Sequence, residues 1–281
     1  FGPFIDYWLL RPLVHSRNLK TVEDLDAFHS DSGDWEESAA RARVRKLIGR
    51  LGSKVDLRGT RLLDVGCGLG DLALALLLEE DVEHVTGIDN IEWFITKAKI
   101  LTKEAGLEGR ASFRCVDVHD YRPKRPFDVV LSHEALEHIE RPQEFLERLT
   151  SLVRPGGLVV LAFGPLFHSP FGDHMNGFFR VRVPWRGLLF NRKAILQLRA
   201  RFFRVSDEQI PDRWPGLNLM RYTEFLQYID ALSLQPVSMV LNPQLRRIPI
   251  LDKISATLCS TPVLRDYVTM SVYAVLRTPN Q

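Results

Sequence analysis

The sequence predicts an α/β protein built on a doubly wound, mostly parallel sheet. Three observations carry that expectation: short apolar runs alternate with helix-patterned segments through the middle of the chain, a glycine-rich turn follows the first run, and several runs close on an acidic residue or a glycine. Parallel strands need a crossover of about a dozen residues or more, and the spacing of the runs leaves room for one.

Taken in order, RLLDV (61–65) is a short apolar run that ends in glycines, and DLALALLLEE (71–80) follows with strong helix formers. HVTGID (84–89) reads as a strand and IEWFITKAKILTKEAG (91–106) as a helix stopped by Gly106. ASFRCVDV (111–118) and FDVVLS (127–132) read as strands, PQEFLERLTSLV (142–153) as a helix, Pro155-Gly156-Gly157 as a turn, and LVVLAFG (158–164) as the fifth strand. Upstream, WEESAARARVRKLIGRL (35–51) has an amphipathic helical pattern and is expected to lie over the ligand site. Downstream, residues 164–190 are rich in aromatics, Gly and Pro, the signature of a folded loop. NRKAILQLRARF (191–202) returns to helix and FRVSDEQI (203–210) to strand, while DYVTMSVYAVLR (266–277) alternates as a last, antiparallel strand.

These elements suggest three parts: an N-terminal helical or lid segment (1–55), a core (56–210 and 263–281, including an aromatic cap loop at 164–190), and an insertion (211–262) read as a substrate cap. There is no internal repeat and no low-complexity tract. Hydrophobic residues at 45% and charged residues at 26% exclude the disordered and fibrous classes. No run approaches the roughly 18 apolar residues of a transmembrane helix, so no transmembrane segment is expected. The opening FGPFIDYWLLRPLV is too interrupted for an anchor but apolar enough to touch a membrane surface or a greasy substrate. Because the chain opens at Phe1 rather than Met, its native N-terminus stays open.

Cys67, Cys115 and Cys259 form no CxxC pair, which suits free thiols in a reducing compartment and a cytoplasmic location. The net charge of +2 hides an asymmetry: residues 1–159 carry 22 basic and 27 acidic side chains, residues 160–281 carry 15 and 8. The basic half is either a solvated face or an attractor for a phosphate, a carboxylate or an anionic surface.

The chemistry is concentrated in Asp64-Val65-Gly66-Cys67-Gly68-Leu69-Gly70, between the first strand and the first helix of the core. Glycines there let the backbone turn tightly and bring N–H groups against a ligand, and the following helix start favours an anionic group. A dinucleotide fingerprint would require GxGxxG, but position 71 is Asp, so the spacing argues against NAD and FAD.

DVGCGLGD resembles motif I of the class I S-adenosylmethionine (SAM)-dependent methyltransferases, and the later elements of that family follow in order over residues 61–164. VTGIDN resembles the end of the second strand, where the resemblance makes Asp89 the acceptor for the two ribose hydroxyls, with Asn90 beside it; a carboxylate suits a diol because it offers acceptor oxygens and no donor. CVDVHD resembles the segment after the third strand, and the resemblance implies that Asp117 faces the adenine amino group with Val118 beside the ring. FDVVLSHEALEHI, with Ser132, resembles the fourth strand and its loop, and LVRPGGLVVLA the turn into the fifth. The resemblance implies a seven-stranded Rossmann-like sheet and SAM as cofactor, with S-adenosylhomocysteine as product. It also implies a cofactor set of Asp64, Gly66, Cys67, Gly68, Gly70, Asp89, Asn90, Asp117, Val118 and Ser132. Asp64 either organises the loop or reaches the methionine amino group, and Cys67 stands where a small residue is needed.

Methyl transfer from a sulfonium is an in-line displacement that needs a general base only when the nucleophile is still protonated. Candidate bases are His133, His138, His168 and His174, with His133 and His174 first; their spacings match no standard metal site, so no metal is expected. The aromatics Phe163, Phe167, Phe171, Phe178, Phe179, Trp185 and Phe190 either receive a hydrophobic small molecule or form a core of their own, and Arg180, Arg182 and Arg186 offer cations to an anionic tail. The expected partner is a small, hydrophobic or partly anionic metabolite, methylated on O or N. Two alternatives stand: a methyltransferase acting on RNA or another macromolecule, although Ser132-His133-Glu134-Ala135 is not the Asn/Asp-Pro-Pro-aromatic set of amino-group nucleic-acid enzymes, so no nucleic acid is expected; and a SAM-binding relative without transfer activity. The oligomeric state is not legible.

Overall fold

Seven strands form one sheet in the order β3-β2-β1-β4-β5-β7-β6, in a computed structural model that describes residues 2–14, 37–51, 55–175, 178–202 and 214–280. The strands are β1 (Arg61–Val65), β2 (His84–Asp89), β3 (Ala111–Cys115), β4 (Phe127–His133), β5 (Val153–Phe163), β6 (Gln235–Leu241) and β7 (Val272–Arg277). The first five pair in parallel, and β7 lies antiparallel between β5 and β6. The order reverses between β1 and β4, opening a crevice at their carboxyl ends, where sheets of this kind bind ligands.

Helices cover both faces. On one lie α2 (Glu37–Leu51), α3 (Asp71–Glu79) and α4 (Glu92–Glu104), packed against Leu62, Val129, Leu131 and Val275. On the other lie α5 (Pro142–Leu152) and α8 (Tyr222–Ala231), packed against Leu63, Val65, Val130 and Ala274. Alternate strand residues thus serve opposite layers, as the two-residue strand period requires. Residues 72–77 of α3 are all buried, which explains why this helix is apolar on every side.

A third, separate cluster joins α1 (Pro3–Leu10) to the segment after β5. Tyr7 and Leu10 pack with Met175, Phe178, Phe179 and Trp214 and with α7 (Arg192–Phe202). Between these elements lie a short α6 (Arg186–Leu189) and, late in the chain, α9 (Pro249–Ser260) and α10 (Arg265–Val268).

Several sequence expectations are corrected. The stretch 211–262 is not only an insertion, because it supplies α8 to the core and β6 to the sheet edge. The alternation in QPVSMVL was masked by the Pro at 236, which an edge strand tolerates. β7 starts at Val272 rather than near 266, since Asp266 is buried in α10, accepting bonds from the Thr223 amide and hydroxyl at 2.8 Å each. β5 begins at Val153 and carries Pro155-Gly156-Gly157 as an irregular stretch, with a register shift opposite Phe127 and Val129. β3 stops at Cys115, before Asp117. The helix at 37–51 buries Ala40, Val44, Leu47 and Leu51 against the sheet layer, where Ser238 Oγ donates to the Leu51 carbonyl, and its Arg43 pairs with Asp71 beside the glycine turn. The strand expected at 203–210 lies outside the described residues.

Candidate cofactor and active site

The glycine turn leaves β1 and is pinned across the sheet, where the amides of Gly66 and Cys67 both donate to the Ile88 carbonyl at 2.9 and 3.1 Å. Gly66, Gly68 and Gly70 have φ of +76, +51 and +74°, a region that favours glycine. The three are not equivalent. A Cβ on Gly70 would meet the Phe113 ring at 2.6 Å, and one on Gly66 would meet Ala135 at 3.3 Å, so both are held by packing. A Cβ on Gly68 would meet nothing within 4 Å, so its surface opens outward.

Asp89, at the end of β2, reaches back to this turn. Its Oδ2 accepts the Gly68 amide and its Oδ1 the Ile91 amide, each at 3.0 Å, leaving one acceptor site on each oxygen for a diol. Asn90 lies in the turn that follows. Asp117 stands beyond β3, where Oδ1 accepts the His119 amide at 2.8 Å and closes a local turn; Val118 beside it is buried, its carbonyl held by Arg148 Nε at 2.8 Å. Such a turn presents the second Asp117 oxygen outward next to an apolar side chain.

Asp64 is buried, and among the described residues its carboxylate has no ion-pair or hydrogen-bond partner. Burial pushes its pKa up to about 7, and the neighbouring Asp71 and Asp89 add to the shift. A buried acid left without a cation is suited to an ammonium group supplied by a ligand. Asp71 itself is neutralised by Arg43 of α2. The Cys67 thiol is buried and its pKa pushed up by that burial and by Asp64 and Asp89, so it is no nucleophile.

Around the crevice, Ser132 Oγ is buried without a partner and His133 ends β4. Glu134 follows at φ +54°, its amide donating to the Ala162 carbonyl at 2.6 Å. This strained residue turns the chain sharply off the strand end, a placement typical of functional loops. His174 also has a positive φ of +54°, and its Nε2 donates to the Pro165 carbonyl at 2.8 Å. That bond fixes the tautomer and leaves Nδ1 as the acceptor nitrogen. The His138 ring stands edge-on to His174 at 5.4 Å, with Nδ1 donating to the Gly216 carbonyl. His174 is therefore brought to His138. Desolvation lowers the pKa of His133, His168 and His174 below the ordinary 6.5, so all three are neutral at pH 7.

Two expectations about the cap change. Arg186 offers no cation to a ligand tail, because it is 1% exposed, forms a bidentate pair with Asp173 at 2.7 and 2.9 Å, and lies 3.9 Å over the Phe179 ring. Phe178 and Phe179 are buried in the cap's own cluster, and Phe163 packs on Phe225 in the main core at 4.9 Å. Glu137 escaped the sequence reading. It is buried above β4, its Oε1 accepts the Gly164 amide at 2.9 Å, its Oε2 has no partner, and burial raises its pKa. An unexplained acid inside LEHI was the available signal.

A glycine turn, an Asp on β2 that braces it and a buried acid on β1, set on a 3-2-1-4-5-7-6 sheet, form the arrangement that the resemblance to the class I methyltransferases implied. Residues 56–164 match the family model described as "Methyltransferase domain". The chain is 41% identical over 108 residues to tRNA U34 carboxymethyltransferase of Idiomarina loihiensis, covering 38% of this chain and 33% of that protein. It is 33% identical over 161 residues to 27-O-demethylrifamycin SV methyltransferase of Amycolatopsis mediterranei, covering 56% and 58%. It thus spans between a third and three fifths of the length of these relatives. The fold resembles the crystal structure of the [4+2]-cyclase SpnF with a TM-score of 0.55 at 19% identity, over 89% of this chain and 85% of that one. Over residues 56–164 the chain is similar to the SAM-dependent methyltransferases that the sequence resemblance pointed to.

The family's cofactor is SAM, and the residues present fit it. The partnerless Asp64, the open face of Gly68 and the two half-satisfied oxygens of Asp89 match an ammonium, a close-approaching ligand and a ribose diol respectively. No described helix is long and apolar enough to cross a membrane, and no group of three metal-ligating side chains occurs among the described residues.

Proposed function

We propose that this chain transfers a methyl group from SAM to an oxygen or nitrogen of a small molecule, hydrophobic or partly anionic. The observation that carries the proposal is the buried, partnerless Asp64 beside the Gly68–Asp89 turn, a site short of one cation. In this reading Asp64 holds the amino group, Gly66, Cys67, Gly68 and Gly70 shape the turn, and Asp89 with Asn90 holds the ribose. Asp117 and Val118 take the adenine, and Ser132 faces the crevice floor. The bound cofactor supplies an electrophilic methyl; the chain's part is to place the nucleophile in line and exclude water.

His174 is the better candidate base. Its Nδ1 is kept as an acceptor by the bond from Nε2, and its lowered pKa keeps it neutral, both needed to take a proton from an alcohol or phenol. His133, neutral at the end of β4, is the second candidate. The relative from Amycolatopsis, by its name a 27-O-demethylrifamycin SV methyltransferase, supports a small-molecule acceptor over a longer match than the tRNA U34 carboxymethyltransferase does. The test is incubation with methyl-labelled SAM and separate metabolite and RNA fractions. Label in the metabolite fraction supports the reading, and label only in RNA, or none despite binding, refutes it.

A further inference from the structure

The outer side of the N-terminal cluster is built the wrong way round for a water-facing surface. Helix α1 buries Asp6, Tyr7 and Leu10 but exposes Phe4, Ile5, Trp8 and Leu9, at 75, 50, 51 and 52%. These four are spaced i, i+1, i+4, i+5 and share one helical face. Helix α9 repeats the inversion, because Ser255 and Cys259 point inward, bonded to Asn242, whereas Ile250, Leu251 and Ile254 are exposed. Clustered apolar exposure on a helix face, as on α1, marks an interaction surface.

The exposed segments are neighbours in sequence of contact. The Asn191 amide donates to Asp6 Oδ2 at 2.7 Å, which ties α1 to the end of α6, where Leu188 and Leu189 are exposed. At the other end of α6, Trp185 Nε1 donates to the Tyr267 carbonyl of α10 at 2.7 Å, and α10 packs on α9. The charge beside them is mostly positive, with the half-buried Asp252 of α9 as an acid among the cations. Between residues 174 and 202 the sequence holds seven cations and no acid, and Arg182, Arg192 and Lys193 are exposed. Arg11 lies 5.0 Å over the Trp8 ring, and Lys253 is exposed on α9, while Asp6, Asp173 and Asp266 are all buried. A second protein would need matching acids around an apolar centre; an anionic bilayer offers both over any footprint. Trp, Leu and Ile enter the acyl boundary while Arg and Lys remain among the headgroups.

We propose that the outward faces of α1, α6 and α9, rimmed by Arg11, Arg182, Arg192, Lys193 and Lys253, dock this protein reversibly on the surface of an anionic lipid bilayer. The full chain is tested by flotation with phosphatidylcholine vesicles and with phosphatidylcholine vesicles containing phosphatidylglycerol. Binding is expected only to the anionic vesicles, weakened by added salt, with about tenfold loss in Trp8→Glu and, separately, in Ile250→Glu. Unchanged melting temperatures show that both variants fold. Failure to bind the anionic vesicles, equal binding by folded variants, or light scattering in which Trp8→Glu converts a dimer to a monomer would overturn the proposal. The last outcome would make this face a subunit interface.

Discussion

The Asp89 carboxylate accepts the Gly68 amide at 3.0 Å and so ties the end of β2 to the turn that leaves β1. With the bond from Ile91, also 3.0 Å, one side chain sets the shape of both loops before any ligand arrives. In Asp89→Asn the side chain keeps its size but loses one acceptor. Hydrogen exchange at the Gly68 or Ile91 amide is expected to speed up roughly fivefold to tenfold, the worth of one net hydrogen bond of about 1 kcal/mol. Unchanged exchange at both amides would mean that backbone geometry alone holds the turn.

Asp64 predicts a pH effect. The folded protein keeps this group protonated up to about pH 7, whereas an unfolded carboxyl releases its proton near its ordinary 3.8. Between those values the folded state binds more protons, so this group's contribution to stability falls as pH rises from about 4 to 7. Asp64→Asn is expected to flatten that slope and raise the neutral-pH melting temperature of the ligand-free protein, while weakening SAM binding. Wild-type titrations in buffers of different ionisation enthalpy are expected to show proton release on SAM binding near pH 6.5. Identical heats in all buffers would contradict the uncompensated acid.

His174 predicts a kinetic split. Since its pKa lies below 6.5, the acid limb of kcat/KM is expected below that value. His174→Ala is expected to cut kcat by about a hundredfold or more with little change in SAM affinity. If kcat survives with the acid limb unmoved, proton removal belongs to His133 or to no side chain.

The Asp173–Arg186 pair predicts a stability effect confined to the cap. Asp173→Ala strands a guanidinium that is 1% exposed, at a cost of about 3 to 5 kcal/mol. Urea unfolding followed by tryptophan fluorescence is expected to show an earlier transition, because Trp214 Nε1 donates to the Asp173 carbonyl at 3.2 Å. Asp173→Leu combined with Arg186→Met is expected to recover most of the loss.

The parallel half of the sheet was legible because β1, β2 and β4 announce themselves as apolar runs, and their order fixes the crevice. The glycine turn was legible because residues held at positive φ leave a mark in composition. β6 was hidden by Pro236 and by partial exposure at a sheet edge. Arg186 was misread because a lone Arg in an aromatic loop carries no trace of a partner 13 residues away, and Glu137 because its partners, the amides of Gly164 and Asn218, lie far along the chain. Long-range pairing decided all three.

The central claim is that the crevice at the carboxyl ends of β1 and β4, flanked by Asp89 of β2, binds SAM, and calorimetric titration of wild-type protein and Asp89→Ala with SAM tests it most directly. The account predicts saturable wild-type binding and a loss of about 1 to 3 kcal/mol in the variant, from two charge-assisted hydrogen bonds. Equal affinity in the two proteins, with both folded, would contradict it.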